Sequence, residues 1–336
     1  MNIAVIGCGY WGNHILRNFN NSELWNLVVA CDIDENQLNK VKKNYPNIKT
    51  TSNPDDIFND KSIDAVSIAT PVFSHYDLAK KSLLSGKHTW VEKPLTSNSY
   101  QAKELVELAN KNKLILNVDH TFIYTPSIKK IKDIIEKGTL GNILYFDSVR
   151  INLGLFQHDV NVIWDLAPHD LSIIEYCLNK KAISVNATGS AVMKYTNKDI
   201  ENIAYLTINF DDGSLAHIHV NWLSPVKIRK IIFGGSEKML VFDDMENAEK
   251  IKIYDTGVKI EKKEDIYESL IQYRIGDMVS PAISNNEALI EEVEHFYKSI
   301  KENKKTITSG EMGYRVVRIL EAANESMRNN GQLVEL

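Results

Sequence analysis

MNIAVIGCGYWG, residues 1–12, decides the fold. Residues 2–6 form an apolar run of strand length. Gly7, Gly9 and Gly12 follow at the spacing of a strand-turn-helix dinucleotide loop. Gly7 allows the tight turn, Gly9 lets backbone approach a pyrophosphate with no Cβ in the way, and Gly12 lets the next helix pack on the sheet. The helix N-terminus then offers free N–H groups to phosphate. A second apolar run, LWNLVVACDID, reaches Asp32 twenty residues after Gly12, the position of a ribose-binding acid. A carboxylate there accepts hydrogen bonds from both ribose hydroxyls and repels a 2′-phosphate, so NAD is expected over NADP.

Working outward, residues 1 to about 120 alternate strand and helix patterns. IAVIG, LVVACD, AVSIAT, HTWVEKP and LILNVDH are separated by helices starting near Asn13, Glu35, His75 and Ser99. That alternation implies βαβ units and a parallel, doubly wound Rossmann sheet. In such sheets cofactor loops gather at the carboxyl ends of the strands, which here are GCGYWG, CDIDE, ATPVFSH and EKP. After a helix over Ser127–Lys137 the pattern changes to alternating segments, among them LYFDSVRINL, IAYLTINF, LAHIHVNWL and RKIIFGGS, which read as antiparallel strands with one covered face. ALIEEVEHFYKSIKEN and GYRVVRILEAANESM close the chain with helical spacing. The expected division is a cofactor domain over 1–122 and an α+β domain with an open-faced, mostly antiparallel sheet over 123–336.

The 336 residues suffice for two domains with proper cores. A net charge of −5, with Lys and Arg dispersed among acids, offers no stripe for nucleic acid. No apolar run approaches a membrane span and the chain enters a core strand at once, so a soluble cytoplasmic protein without a leader is expected. Cys8, Cys31 and Cys177 lack metal or disulfide spacing and read as small buried side chains.

Two constellations carry candidate chemistry. Glu92, Lys93 and Pro94 end the strand HTWV at the edge where a nicotinamide belongs, so that Lys93 either exchanges a proton or, staying charged, holds a substrate hydroxyl. A strand-end lysine paired with Glu92 is the plain alternative. In NVIWDLAPHDLSIIEYCL, Asp165 and His169 stand four apart on one helical face, with Asp165 as a possible N-cap and Pro168 in the first turn. A neutral imidazole suits removal of a hydroxyl proton as hydride leaves the same carbon, and a carboxylate one turn away can orient it. A capping Asp165 and a structural His169 are the alternative. His217 and His219 lie on one strand face without a third ligand, so no metal is expected. Arg150, Lys227 and Arg229 are able to meet phosphate or carboxylate, with solvated charges on the sheet face as the plain alternative.

GCGYWG, ATPVFSH, EKP and WDLAPHD occur in this order and spacing, and with the helical tail the chain resembles the glucose-fructose oxidoreductase/inositol dehydrogenase/MocA (Gfo/Idh/MocA) family over almost its whole length. The resemblance implies that Lys93, Asp165 and His169 line an active site. It implies a cis Lys93–Pro94 bond and contact of the Thr70, Pro71 and His75 loop with NAD, beside Gly7, Gly9, Tyr10, Trp11, Gly12, Asp32, Glu92 and Lys93. It also implies a homodimer or homotetramer formed through the C-terminal sheet. GYWG followed by RNF, DVNVIWDLAPHD and WLSPVKIRK is most similar to nucleotide-sugar members of the UDP-N-acetylglucosaminuronate 3-dehydrogenase type. On that likeness Arg150, Asn152, Gln157, Lys227 and Arg229, with Lys93 and His169, bind substrate. Ala167 and Pro168 depart from relatives with glycine before this histidine, which touches substrate choice rather than chemistry. The expected activity is hydride transfer between a sugar or nucleotide-sugar secondary alcohol and NAD. The alternatives are an inositol, polyol or free-hexose dehydrogenase, and a non-catalytic NAD- and sugar-sensing protein.

Overall fold

The structure, a computed structural model, describes residues 1–196, 199–261 and 270–336. Its first sheet is built from β1 (Asn2–Ile6), β2 (Asn26–Cys31), β3 (Lys49–Thr51), β4 (Ala65–Ile68), β5 (His88–Glu92) and β6 (Leu116–Asp119). The order is β3-β2-β1-β4-β5-β6 with every pairing parallel. Helices α1 (Tyr10–Asn21), α2 (Glu35–Asn44), α3 (Asp55–Phe58), α4 (His75–Leu84) and α5 (Ser99–Asn112) connect the strands. This is the Rossmann arrangement expected from the alternation of patterns. Ile3, Ala4 and Val5 are fully buried, which explains why β1 is apolar without interruption.

The chain continues through α6 (Pro126–Glu136), β7 (Ile143–Leu153), α7 (Val162–Leu178), β8 (Ala182–Ser190), β9 (Ile203–Phe210), β10 (Leu215–Asn221), β11 (Leu223–Gly235), β12 (Met239–Asp243) and β13 (Ile251–Tyr254). A separate hairpin of β14 (Gly257–Glu261) and β15 (Leu270–Arg274) precedes β16 (Met278–Val279), α8 (Ala288–Glu302), α9 (Gly310–Arg328) and β17 (Val334–Glu335). The second sheet has nine strands in the order β16-β13-β12-β11-β7-β10-β9-β8-β17. It is antiparallel apart from β7 and β10, which pair in parallel. Ala216, Ile218 and Val220 alternate with Leu215, His217 and His219 along β10. The first set is buried, on the face where α7 packs; the second is half-buried or exposed.

Contacts divide the chain into one unit of residues 1–125 with 286–321 and another of 126–285 with 322–336. Residues 286–321, counted with the second domain on sequence pattern, pack with the Rossmann sheet instead. Their helix α8 supplies Phe296, fully buried and stacked on Trp25 with centroids 5.5 Å apart. Phe296 also meets Trp90 edge to face at 5.5 Å, and Trp25 Nε1 donates to the Val293 carbonyl at 3.0 Å. Helical periodicity shows that α8 has an apolar face but does not say which sheet covers it.

Candidate active site

In the Rossmann unit the parallel sheet aligns the carboxyl ends of its strands, and the expected cofactor residues fall there in a row. Gly7 follows β1, Asp32 follows β2, Thr70 stands two past β4, and Lys93 follows β5. Gly7 adopts φ +95°, a conformation that glycine reaches without strain. A Cβ on Gly12 would lie 2.0 Å from the Gly7 carbonyl oxygen, whereas one on Gly9 would meet nothing within 4 Å. The loop is therefore closed where helix meets strand and open at Gly9, the N-cap of α1, which brings no side-chain cap to the first-turn amides. Such an end suits a pyrophosphate. Asp32 accepts the Cys8 N–H at 2.6 Å on Oδ2 and the Asp34 N–H at 2.8 Å on Oδ1. Each oxygen keeps a second lone pair, so a ribose diol has acceptors in a carboxylate already held in place.

The other residues of this edge are fixed by the protein itself. Tyr10 is 81% exposed, while Trp11 donates its indole N–H to Asp119 Oδ2 at 2.8 Å. Ser74 Oγ donates to Thr70 Oγ1 at 2.7 Å, and Pro71 precedes a short 3₁₀ turn over Val72–Ser74. His75 is buried with Nε2 2.7 Å from the Thr70 carbonyl and Nδ1 3.0 Å from that of Pro94. It sits between the β4 loop and the β5 loop with a carbonyl at each ring nitrogen, and since burial pulls its pKa down the neutral ring donates its single N–H to one of them. Lys93–Pro94 is cis, and the Lys93 N–H donates to the Glu92 carboxylate. Cys8 is buried in the loop, and burial foremost, then Asp32, pushes its thiol up to about 12.

In the second unit, α7 begins at Val162, with Asn161 as its cap accepting the Trp164 N–H at 3.2 Å. This corrects the reading of Asp165 as the N-cap. A cap four residues earlier puts Asp165 in the first turn and Pro168 inside the helix. Asp165 and His169 thus share one helical face and are both half-buried. Asp165 Oδ2 accepts the indole N–H of Trp222 at 2.9 Å, which fixes the carboxylate. Arg150, placed among substrate residues on sequence, is 5% exposed on β7. Its guanidinium grips Asp170 of α7 through Nε at 2.7 Å and Nη2 at 3.1 Å, while Ser148 Oγ donates to Asp170 at 2.8 Å. Arg229 lies opposite Arg150 in register and pairs with Asp244 at 3.3 Å. Lys227 is exposed where the β7–β11 register shifts, Asn152 ends the same face of β7 as Arg150, and the Gln157 carbonyl accepts from Tyr195. His217 and His219 belong to the other face, where Tyr205 stacks on His219 at 4.4 Å and on His217 at 6.3 Å.

Residues 1–120 match the oxidoreductase family with an NAD-binding Rossmann fold, and residues 128–241 match the Gfo/Idh/MocA C-terminal domain. The uncharacterized oxidoreductase YdgJ of Escherichia coli is 34% identical over 272 residues, covering 73% of this chain and 76% of its own. The chain belongs to the Gfo/Idh/MocA oxidoreductase family. As such it is an NAD-binding oxidoreductase, and the glycine loop and Asp32 supply a site that fits NAD. Myo-inositol 2-dehydrogenase of Thermotoga maritima is 23% identical over 347 residues, covering 97% of this chain and 96% of its own. The solved UDP-N-acetylglucosamine 3-dehydrogenase of Acidithiobacillus ferrooxidans superposes with TM-score 0.79 at 22% identity, over 98% of both chains. Among the described residues of the oxidoreductase, no helix is long and apolar enough to cross a membrane.

One residue of the Rossmann edge escaped the sequence reading. His120 is the first residue past β6, as Lys93 is past β5. The signal was present in LILNVDH, a histidine closing the last strand of the parallel set.

Proposed function

We propose that this oxidoreductase interconverts a secondary alcohol and a ketone on a sugar or nucleotide sugar, with Lys93, Asp165 and His169 handling the hydroxyl proton. The observation that carries the reading is the Asp165–His169 pair on α7, with Asp165 held by Trp222 at 2.9 Å. NAD supplies the hydride acceptor. His169 takes the hydroxyl proton, and Asp165, one turn away, orients the ring and stabilises the imidazolium that results. Lys93 holds the same substrate oxygen by a hydrogen bond. Lys227, Arg229, Asn152 and Gln157 contact the substrate, and a diphosphate suits the two cations. Arg150 serves by holding α7 through Asp170. A nucleotide-sugar relative, the UDP-N-acetylglucosamine 3-dehydrogenase, supports this substrate class. The myo-inositol relative supports a second reading, a polyol dehydrogenase. The protein works in the cytoplasm without nucleic-acid or membrane partners, as a homodimer or homotetramer through the face bearing Tyr205, His217 and His219.

The test follows NADH absorbance with nucleotide sugars, free hexoses and inositols. Selective turnover of one nucleotide sugar is expected, and turnover of inositol alone moves the assignment to the polyol reading. Lys93→Ala and His169→Ala are each expected to lower kcat at least about 100-fold with NAD affinity kept. Unchanged rates in both variants would remove the assigned roles, and NAD binding without turnover of any alcohol would favour the sensor alternative.

A further inference from the structure

His120 completes the row of residues at the carboxyl edge of the Rossmann sheet. β5 and β6 pair with Glu92 opposite Asp119, so Lys93 and His120 are the adjoining first residues beyond the edge. The backbone of His120 is fixed: its N–H donates to the Val118 carbonyl at 2.7 Å, and its carbonyl accepts the Ile123 N–H at 3.0 Å. Asp119 beside it is anchored by Trp11 Nε1 and Thr121 Oγ1. The imidazole is only 1% exposed, and neither Nδ1 nor Nε2 has a hydrogen-bond partner among the described residues. Buried polar groups are paired in the great majority of cases, and an orphan marks strain or function. Burial at this edge does not by itself orphan an imidazole, because the equally buried His75 has carbonyls at both nitrogens.

We infer that His120 orients the cofactor, one ring nitrogen hydrogen-bonding the carboxamide of the nicotinamide. The carboxamide carries a carbonyl acceptor and an NH₂ donor, and a neutral imidazole offers a donor on one nitrogen and an acceptor on the other, so either tautomer serves. Burial, and after it the Lys93 ammonium, push the pKa of His120 down to about 3. The ring is therefore neutral at working pH and opposes no charge to a pyridinium. The inference rests on NAD binding alone and is independent of which alcohol is oxidised.

The test is calorimetric titration of the full-length protein with NAD and with ADP-ribose, which keeps both ribose-phosphate halves but lacks nicotinamide. His120→Leu fills the volume without a hydrogen bond. It is expected to raise the Kd for NAD about tenfold, the worth of one buried hydrogen bond, and to leave the Kd for ADP-ribose within twofold. His120→Gln, with a hydrogen-bonding end, is expected to restore most of the NAD affinity. Because Leu also removes two orphaned nitrogens, its melting temperature is expected not to fall. Equal weakening of NAD and ADP-ribose, or no weakening of NAD, overturns the inference. Should the Leu variant not fold, His120→Ala carries the same comparison.

Discussion

Arg150→Met and Asp170→Leu, made singly and together, separate two roles for Arg150: contact with substrate, or a tie beneath the helix that bears His169. The two side chains are 6% and 1% exposed, and three short donor contacts converge on the Asp170 carboxylate. Opposite charges about 4 Å apart in an effective dielectric near 20 attract by roughly 4 kcal/mol. Removing one partner of such a pair strands the other charge and typically costs about 3–5 kcal/mol, whereas replacing both with apolar groups of similar size is often neutral. The second unit holds about 175 residues, a size at which 1 kcal/mol moves Tm by roughly 2–4 °C. Each single variant is therefore expected to melt roughly 6–20 °C early, and the double variant to recover most of that loss. Circular dichroism melts measure the stability, and the KM of the double variant measures the function. If Arg150 only holds α7, KM stays within about threefold of wild type. The reasoning fails if either single variant melts within about 2 °C of wild type, or if the double variant is no more stable than the singles. A KM more than about tenfold higher in a well-folded double variant returns Arg150 to the substrate.

Asp32→Ser removes the carboxylate assigned to the ribose, so the NAD:NADP ratio of binding constants is expected to fall at least about tenfold; an unchanged ratio would refute the ribose assignment. Glu292 is fully buried, and burial first, then the charge of Asp119, raises its pKa well above 4.5. Below the unfolded value it is protonated in both states; as pH climbs toward the folded value the unfolded state alone ionises, and the wild type loses stability. Glu292→Gln should thus match wild type near pH 4 and melt progressively higher than wild type toward pH 8, in a pH series of thermal melts. Residues 1–125 expressed alone lack Phe296 over Trp25 and Trp90 and are expected to aggregate, while the same residues linked to 286–321 should show a cooperative melt; a cooperative melt of the short piece would contradict the packing argument.

The Rossmann sheet was legible because each of its signals is local. A glycine is demanded at 12 by the Gly7 carbonyl, and an acid after β2 is the residue a ribose calls for in such folds, so both leave marks at fixed spacing. The start of α7 was misread because Asp165 and Asn161 are both good caps, and only tertiary contact chooses between them. Trp222 draws Asp165 into a hydrogen bond and leaves Asn161 to cap. The Arg150–Asp170 pair joins residues 20 apart on different elements, and no periodicity distinguishes a buried arginine from one facing a ligand. His120 was missed for a related reason, since a single histidine after a strand is informative only once its neighbours are known to leave it unpaired.

The attachment of α8 to the Rossmann unit is polar as well as apolar, and the polar part reaches the cofactor loop. Trp11, in the first turn of α1, donates to Asp119; Asp119 lies against Glu292 of α8; and Glu292 accepts from Asn117 at 3.2 Å. Asn117 in turn accepts from Thr308 at 2.8 Å, and Tyr124 lies 3.1 Å from Thr308 and 2.9 Å from His295 Nδ1. Within this chain Asn117, Asp119, Glu292 and Thr308 are at most 1% exposed, so deleting one leaves another unsatisfied in a medium where that costs about 1–3 kcal/mol. Two buried carboxylates that share a site are tolerated only if one keeps its proton; burial raises both, but Thr121 and Trp11 donate to Asp119 and pull it back, so the proton sits on Glu292, on the α8 side. Asp119 can then remain the acceptor for Trp11. The indole that sets the first turn of α1, and the strand end that presents His120, are in this way held by a residue 173 positions later in the chain than Asp119. A change in α8 should be felt at the dinucleotide loop through Asp119 before it is felt in the strands.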